Sequence, residues 1–345
     1  MKLFLSFALF CVFLFFPAAC ADGVRNGLAL AAGQALPALF PFFVAGGLLT
    51  RSGLALRLSG LAARPLYALY RLPPAAAPAV LLGLTGGYPV GAATTVDLLK
   101  QGALSHTDAA RVNRFCNCAS PGFCIALAGL GVFGSARTGA MLYGIHVLSA
   151  LLAGLITARE DVPPAPTSAT PSRAPDEGFA SIFCAAVQQA AATALTVTAF
   201  LAMFSILLRL AAPVLTLLPC GDAFSGLFEL TAGLAALAPL PLTDNAKLTI
   251  ASFLLGFGGL AVQFQVRALA APAGLPVDGF AAAKLLHGAL AAALTALLTR
   301  LSPQTLVVSA VPDRIAPHGL PPVFSLILLL TALAIWSGKK AKNAV

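Results

Sequence analysis

The amino-acid sequence predicts an all-α polytopic membrane protein with about eight transmembrane helices and two re-entrant hairpins in an inverted-repeat arrangement. The 345 residues are 59% hydrophobic and only 10% charged, with a mean hydropathy of +0.91. Soluble domains average about 25% charged residues. The lysines and arginines lie mostly in short segments between apolar runs, as expected for residues that set membrane orientation. This pattern does not indicate nucleic-acid binding, because basic and aromatic residues are not interleaved.

One polar stretch, residues 159–177, is rich in proline, serine and threonine and is predicted to be a flexible cytoplasmic linker. A first repeat is predicted over 22–158 and a second over 178–300. Residues 1–21 are interpreted as a signal-anchor or first transmembrane helix, and 301–345 as a C-terminal transmembrane helix with a basic tail. Further spans are predicted at 35–50, 115–134, 138–158, 194–218 (after an amphipathic lead-in around Gln188 and Gln189), 245–266, 281–299 and 322–337.

The first hairpin is predicted over residues 77–96. Its glycines and proline would free backbone amides and carbonyls that lipid cannot satisfy, so this backbone must be buried in protein or line a polar cavity. The loops on both sides lean basic, which predicts that both are cytoplasmic and that the segment enters and leaves on one side. A glycine-kinked helix packed closely on a neighbour is the alternative. The break consists of Gly86, Gly87, Tyr88, Pro89 and Gly91.

The second hairpin is predicted over residues 222–243, where it dips in from the outside. It carries Glu229, and a carboxylate near the bilayer centre costs roughly 2.5–3.5 kcal/mol, so it is expected to contact a solute or a coupling ion. The alternative is that Glu229 lies near the outer interface and meets water. Hairpins that approach from opposite faces are typical of inverted-topology repeats.

The candidate solute site combines these breaks with polar residues in neighbouring spans. Asn117 and Gln263 are amides inside apolar runs, and such amides bind solutes or bond neighbouring helices. Pro121 is expected to leave a carbonyl near Asn117 without its donor. Besides the first break, the predicted solute-binding residues are Thr94, Asn117, Ser120, Pro121, Glu229, Thr231, Gly258, Gly259, Gln263 and Gln265.

Cysteine and histidine give weaker signals. Cys116, Cys118 and Cys124 lie close enough in sequence to be weak candidates for a soft-metal site, although no resident metal or cofactor is predicted. Lys284 and His287 are interpreted as snorkelling from a helix end to the interface. No role is predicted for His106, His146 or His318. No Ser/His/Asp or zinc-protease motif is present, so an enzyme is not expected.

Several of these motifs resemble the YlbJ family of sporulation integral membrane proteins. The most specific are Gly-Gly-Tyr-Pro-Val-Gly-Ala at 86–92 and Asn117-x-x-Ser120-Pro121. Weaker ones are Pro-Ala-Leu-Phe-Pro-Phe-Phe at 37–43, Glu-Leu-Thr-Ala-Gly at 229–233 and the glycine and glutamine motif at 258–265. The resemblance covers about residues 24–300 and implies the nucleoside-recognition "Gate" domain, with a fold similar to concentrative nucleoside transporters. Departures at Cys116, Cys118 and Gln263 leave the solute open.

The resemblance also implies a role in endospore formation. The expected location is the bacterial cell membrane, with a membrane that surrounds the forespore as one option. The expected function is transport of a small organic, anionic solute that is dipicolinate-like or nucleoside-like. The coupling ion, Na⁺ or H⁺, stays open. A divalent metal-ion permease and a non-transporting scaffold for spore-envelope assembly are the alternatives. The expected partners are the solute and membrane lipids, with homo-oligomerisation left open.

Overall fold

The structure is a computed structural model that describes residues 1–54, 64–157, 178–217 and 221–301. These residues form helices with short connections and contain no strand, which confirms the all-α prediction for this part of the chain. The predicted linker at 159–177 and the predicted span at 322–337 lie outside the described residues.

The N-terminal helices α1 (Lys2–Phe15) and α2 (Pro17–Leu30) meet at a bend of 96°. Pro17 explains this bend, because it has no N–H to continue α1 and its fixed φ suits the first turn of a new helix. Helix α2 continues through a π-helical turn, Ala31–Ala35, into α3 (Leu36–Arg51). Residues 64–70 are also helical.

The predicted first hairpin is a pair of short helices, α4 (Ala77–Thr85) and α5 (Val90–Lys100). The chain reverses between them, since a Cβ atom on Gly83 would lie 2.9 Å from Gly91 Cα on the returning helix. Glycine at both positions therefore permits the close crossing.

The predicted span at 115–134 is shorter than expected. After α6 (His106–Asn113) the chain is irregular through Ser120, and α7 covers only residues 121–133, with π-helical geometry over Phe123–Val132. Pro121 lies in the first turn of α7, where a missing N–H costs nothing. Pro121 therefore begins α7 and does not lie inside a span. Helix α8 (Ala136–Thr157) follows.

Helix α9 (Phe179–Leu215) is continuous over 37 residues, so the predicted division near residue 194 was wrong. Its length is roughly 55 Å, well beyond the bilayer's hydrocarbon core of about 30 Å. The polar residue Gln189 does not break the helix, because its side chain bonds both Arg51, at 2.9 Å, and Asp97, at 2.7 Å.

The predicted second hairpin is also a pair of short helices, α10 (Gly221–Phe228) and α11 (Leu230–Leu237). They cross at another glycine pair, since a Cβ atom on Gly226 would lie 3.1 Å from Gly233 Cα. Next come α12 (Asp244–Phe257), α13 (Gly259–Ala270), a 3₁₀ turn at Ala271–Ala273 and α14 (Phe280–Leu301).

Within the described residues, four helical stretches are long and apolar enough to cross a membrane, and the bent α1–α2 pair would make a fifth. The four are Ala136–Thr157, Phe179–Leu215, Asp244–Ala273 and Phe280–Leu301. The described part of the chain thus does not reach the predicted count of about eight. The difference arises at 35–50 and 115–134, where the helices are short, and at 322–337, which is not described.

The centre of the described bundle is built from α8, α12 and α14. Helices α12 and α14 approach closely, because a Cβ atom on Gly256 would lie only 2.6 Å from Gly288 Cα. This packing brings the polar residues of α14 against α8 and against the first hairpin.

Candidate functional site

The glycine break between α4 and α5 meets the break between α12 and α13, at Gly258, and Tyr88 joins the two. Its hydroxyl donates a hydrogen bond of 2.7 Å to the Leu255 carbonyl, in the last turn of α12. A Cβ atom on Gly258 would lie 3.3 Å from the Tyr88 ring, and Gly258 has a φ of +80°. Glycine adopts this conformation without strain and leaves room for the ring. The end of α12 thus obtains a hydrogen-bond donor from the first hairpin, where a carbonyl would otherwise lack one.

The second hairpin packs on the same break. A Cβ atom on Gly259 would lie 3.1 Å from the Gly226 carbonyl oxygen and 3.2 Å from the Leu230 nitrogen. The α12–α13 break therefore lies between the tips of the two hairpins.

A small cavity of about 50 Å³ lies between the hairpins, and we call it the central cavity. Its size suits one or two water molecules, at about 30 Å³ each. Apolar side chains such as Leu39 and Val262 complete its wall. Predicted solute-site residues from both halves of the chain line it: Tyr88, Ser120, Glu229, Thr231 and Gln265.

Glu229 is buried in this wall, with 2% of its surface exposed. It is the N-cap of α11, where its two carboxylate oxygens accept hydrogen bonds from the Thr231 amide at 3.0 Å and the Ala232 amide at 2.6 Å. A carboxylate is favourable at a helix N-terminus because it satisfies free N–H groups and the helix dipole. The alternative position at a wet outer interface is not what the structure shows.

Asn117 organises the first hairpin from outside the cavity. Its Oδ1 accepts a hydrogen bond of 2.7 Å from the Ala92 amide in the first turn of α5, and its Nδ2 donates to Asn113. The side chain is fully buried and does not line the central cavity. Its geometry is that of a cap supplied by a neighbouring segment.

Other predicted site residues are divided between the hairpin tip and separate places. Gly86, Gly87 and Pro89 link α4 to α5, and Gly91 forms the helix crossing. Thr94 lines a different cavity of about 20 Å³ beside Asp97 and Gln189. Gln263 contacts the Phe257 carbonyl at 3.5 Å and lines an open cleft next to Arg267. Thr94 and Gln263 are therefore not brought together with the central cavity.

The prediction that Lys284 lies at the membrane interface was wrong, because its side chain is fully buried. Its ammonium group donates three hydrogen bonds: to the Asn117 carbonyl at 2.9 Å, to His287 Nδ1 at 2.9 Å and to the Tyr88 hydroxyl at 3.1 Å. An ammonium group has three protons, so all of them are used, and all three acceptors are neutral. A buried cation without a carboxylate partner is costly and points to function.

His287 and His146 extend this network. His287 Nε2 lies 2.9 Å from the His146 carbonyl oxygen, and the two rings stack with centroids 4.6 Å apart. His146 Nε2 accepts a hydrogen bond of 2.9 Å from the Ala119 amide. The irregular segment before α7 is therefore held by Lys284 on one side and by His146 on the other.

The predicted trio of Cys116, Cys118 and Cys124 does not form one ligand group in the described residues. Instead Cys118 lies with His146 and His287, and their ligand atoms are all within 4.8 Å of one another. Sequence reasoning missed both histidines and Lys284. The available signal was the pair Lys284-x-x-His287, which puts two polar residues on one face of an otherwise apolar span.

This fold and site define an all-helical, multi-pass membrane protein with broken helices around a buried polar centre. The chain is similar to "Sporulation integral membrane protein YlbJ" of Bacillus subtilis (strain 168), with 28% identity over 319 residues, 82% of this chain and 78% of that protein. This similarity supports a YlbJ-like family for the chain, in agreement with the resemblance of its motifs. No family model and no solved structure matches it.

Proposed function

We propose that this protein is a membrane transporter of a small organic anion, dipicolinate-like or nucleoside-like, that acts in sporulation. The central cavity carries the proposal, because the two hairpins and the two broken segments beside them all contribute side chains to it. The sporulation role is supported by the similarity to YlbJ. The proposed transporter has two Gate-like repeats in an inverted arrangement.

The arrangement of breaks supports transport. Each hairpin faces a helix that is interrupted at its middle: residues 114–120 beside α4–α5, and Gly258 beside α10–α11. Transporters with inverted repeats use such discontinuous helices to present helix ends to a solute near mid-membrane. A scaffold has no need for broken helices around a buried polar cavity, since each break needs hydrogen-bond partners that lipid cannot supply.

Two features beside the central cavity favour an anion, while the Glu229 carboxylate in its wall is already bonded to the α11 amides. Lys284 contributes a buried positive charge directly behind Tyr88, with its ammonium 4.9 Å from the centre of that ring. The α13 N-terminus at Gly259 has no side-chain cap, whereas α11 already has the carboxylate of Glu229. A free helix N-terminus and a buried ammonium group both favour a negatively charged ligand.

A route to the cavity is also visible. A larger groove of about 630 Å³, lined by Gln34, Pro37 and Gly122 among others, shares Phe123 and Thr231 with the central cavity. We call this groove the vestibule. Because the central cavity holds only one or two waters, a solute must displace Phe123 or the second hairpin to enter it. The described conformation therefore corresponds to a closed state of the proposed transporter.

The proposal is tested by thermal unfolding of the purified full chain with dipicolinate and with nucleosides, followed by uptake into proteoliposomes. A ligand that binds only the folded state adds about 2.7 kcal/mol at a hundred times its dissociation constant. We expect stabilisation by one of these solutes, with loss of the effect in Gln265→Leu. Gln263→Leu is the matched control, since Gln263 lies outside the cavity.

The alternatives make different predictions in the same experiment. A metal-ion permease would give uptake of a divalent metal and no response to organic solutes. The cluster of Cys118, His146 and His287 is the observation that favours this alternative. A scaffold would give neither uptake nor stabilisation, and Gln265→Leu would not differ from Gln263→Leu. Either result would contradict organic-anion transport.

A further inference from the structure

We propose that Cys118, His146 and His287 form a binding site for a thiophilic divalent metal ion such as Zn²⁺, next to the central cavity. One thiol and two imidazoles supply the ligand types that Zn²⁺ prefers. Their ligand atoms lie within 4.8 Å of one another, and all three side chains are buried. A site with three protein ligands also leaves a fourth position open for water or a solute. This inference does not depend on the proposed organic solute.

The hydrogen bonding of His287 matches that of a metal ligand. Its Nε2 faces the His146 carbonyl oxygen at 2.9 Å, which places the proton on Nε2 and makes Nδ1 the nitrogen that carries the lone pair. Metal-binding histidines almost always donate their other N–H to a carbonyl or carboxylate in this way. In the described conformation Nδ1 accepts from the Lys284 ammonium, at 2.9 Å.

A second and independent observation comes from His146. Its Nδ1 is buried and has no hydrogen-bond partner among the described residues, although Nε2 is bonded to the Ala119 amide. Buried polar atoms of native proteins nearly always have a partner, so an orphan requires an explanation such as an ion. Because Nε2 accepts from the Ala119 amide, Nδ1 carries the ring proton in the described conformation. A metal ion can bind at Nδ1 once this proton has moved to Nε2 and the Ala119 amide has turned away from Nε2, and Nδ1 then gains the partner that it lacks.

The metal ion and the Lys284 ammonium compete for one place. Zn²⁺ takes the lone pair of His287 Nδ1, and the ammonium keeps its acceptors at Tyr88 and Asn117. Cys118 binds as a thiolate, so its Sγ–H proton passes to solvent and one proton is released for each ion bound. Two cations this close repel each other strongly in a low-dielectric site. Removal of the lysine charge must therefore tighten metal binding, which a purely structural role of the cluster does not predict.

The experiment uses the purified full chain without an affinity tag. Zn²⁺ binding is measured by equilibrium dialysis with metal analysis, and the site is probed with Co²⁺, whose thiolate charge-transfer absorption reports Cys ligation. We expect one ion per chain in the unchanged protein. Cys118→Ser and His287→Gln should each weaken binding by more than about 100-fold and remove or alter the absorption. Cys116→Ser and Cys124→Ser are matched controls, because both thiols are buried nearby and lie outside the group.

Lys284→Met should bind Zn²⁺ at least about tenfold more tightly, since it removes the competing charge. This variant keeps the test decisive even where loss of a ligand prevents folding. The proposal is overturned by less than one ion per chain in the unchanged protein, by equal losses in Cys116→Ser and Cys118→Ser, or by unchanged or weaker binding in Lys284→Met. Organic-solute binding through Gln265 is measured separately, so failure of one proposal is distinguishable from failure of the other.

Discussion

The helices of the two hairpins cross in the same way, but the tips of the two hairpins are held by different hydrogen bonds. Each crosses at a glycine pair, and each places its tip on the α12–α13 break. The tip of the first is bonded by other segments: Asn117 caps α5, and Tyr88 donates to the Leu255 carbonyl. At the tip of the second, Glu229 caps its own helix. The difference indicates that the first hairpin is fixed to the bundle, whereas the second carries its polar bonds with it and is the part expected to move.

The largest expected effect comes from the first crossing. Gly83→Ala puts a methyl group onto the Cys116 carbonyl and within 2.9 Å of Gly91, where both obstacles are backbone. We expect a loss of about 2–4 kcal/mol in unfolding free energy, measured by thermal or denaturant unfolding. The matched control is Gly144→Ala in α8, where nothing lies within 4 Å of the new methyl group. The control should be neutral or stabilising by up to about 1 kcal/mol. Equal effects at the two sites would contradict the close crossing.

The next largest effect on stability is expected at the two helix caps, Asn117 and Glu229. Asn117→Ala leaves a buried amide of α5 and the oxygens of Asn113 without partners, which should cost about 2–3 kcal/mol. Glu229→Ala removes an N-cap, worth about 1–2 kcal/mol, but also removes a buried carboxylate, which offsets part of the loss.

Hydrogen exchange should distinguish the two variants by location. Exchange should rise in α5 and its neighbours in Asn117→Ala, and only in α11 in Glu229→Ala. A larger or more widespread effect of Glu229→Ala would reverse the assignment of the fixed and the mobile hairpin.

A smaller effect is expected at the tyrosine that joins the first hairpin to the break. Tyr88→Phe removes one donor to Leu255 and one acceptor for Lys284 in a buried place, which should cost about 1–3 kcal/mol. Tyr143→Phe is the control, because its hydroxyl makes a single bond of 3.2 Å to Leu84 and is half-buried. The control should lose less than about 1 kcal/mol. Similar losses in both variants would mean that Tyr88 does not anchor the hairpin.

The breaks in the helices could be predicted because particular residue types cause them. Glycine and proline in an apolar run leave few local solutions, so the first hairpin and the Gly258 break were found at the correct positions. The position of Lys284 was not predictable in the same way. A lysine in an apolar helix either snorkels or is buried, and its acceptors lie far away in sequence, 196 residues distant for Tyr88 and 167 for Asn117. Only the packing of α14 on the first hairpin decides between the two.

Helix α9 shows the same limit for helix ends. The long stretch without charge and the glutamines Gln188 and Gln189 predicted that this segment is divided into two helices. The helix is instead continuous. Gln189 bonds to Arg51 and Asp97 on two other helices, so a polar residue within α9 is satisfied by tertiary contacts and not by a break. Local sequence contains no information on such partners.

The smallest expected effect tests which threonine of the two hairpins belongs to the solute site. Thr231 lies on α11 in the wall shared by the central cavity and the vestibule, whereas Thr94 lies on α5 beside Asp97. Each Thr→Val change keeps the shape and removes one hydroxyl, so the pair is matched. We expect Thr231→Val to weaken solute binding by about tenfold, the value of one hydrogen bond of about 1.4 kcal/mol.

Thr94→Val should change the dissociation constant by less than about twofold, measured by solute-induced thermal stabilisation. A tenfold loss in Thr94→Val with no loss in Thr231→Val would move the solute to the cavity beside Asp97. The fixed hairpin would then contain the binding site, and the second hairpin would only cover it.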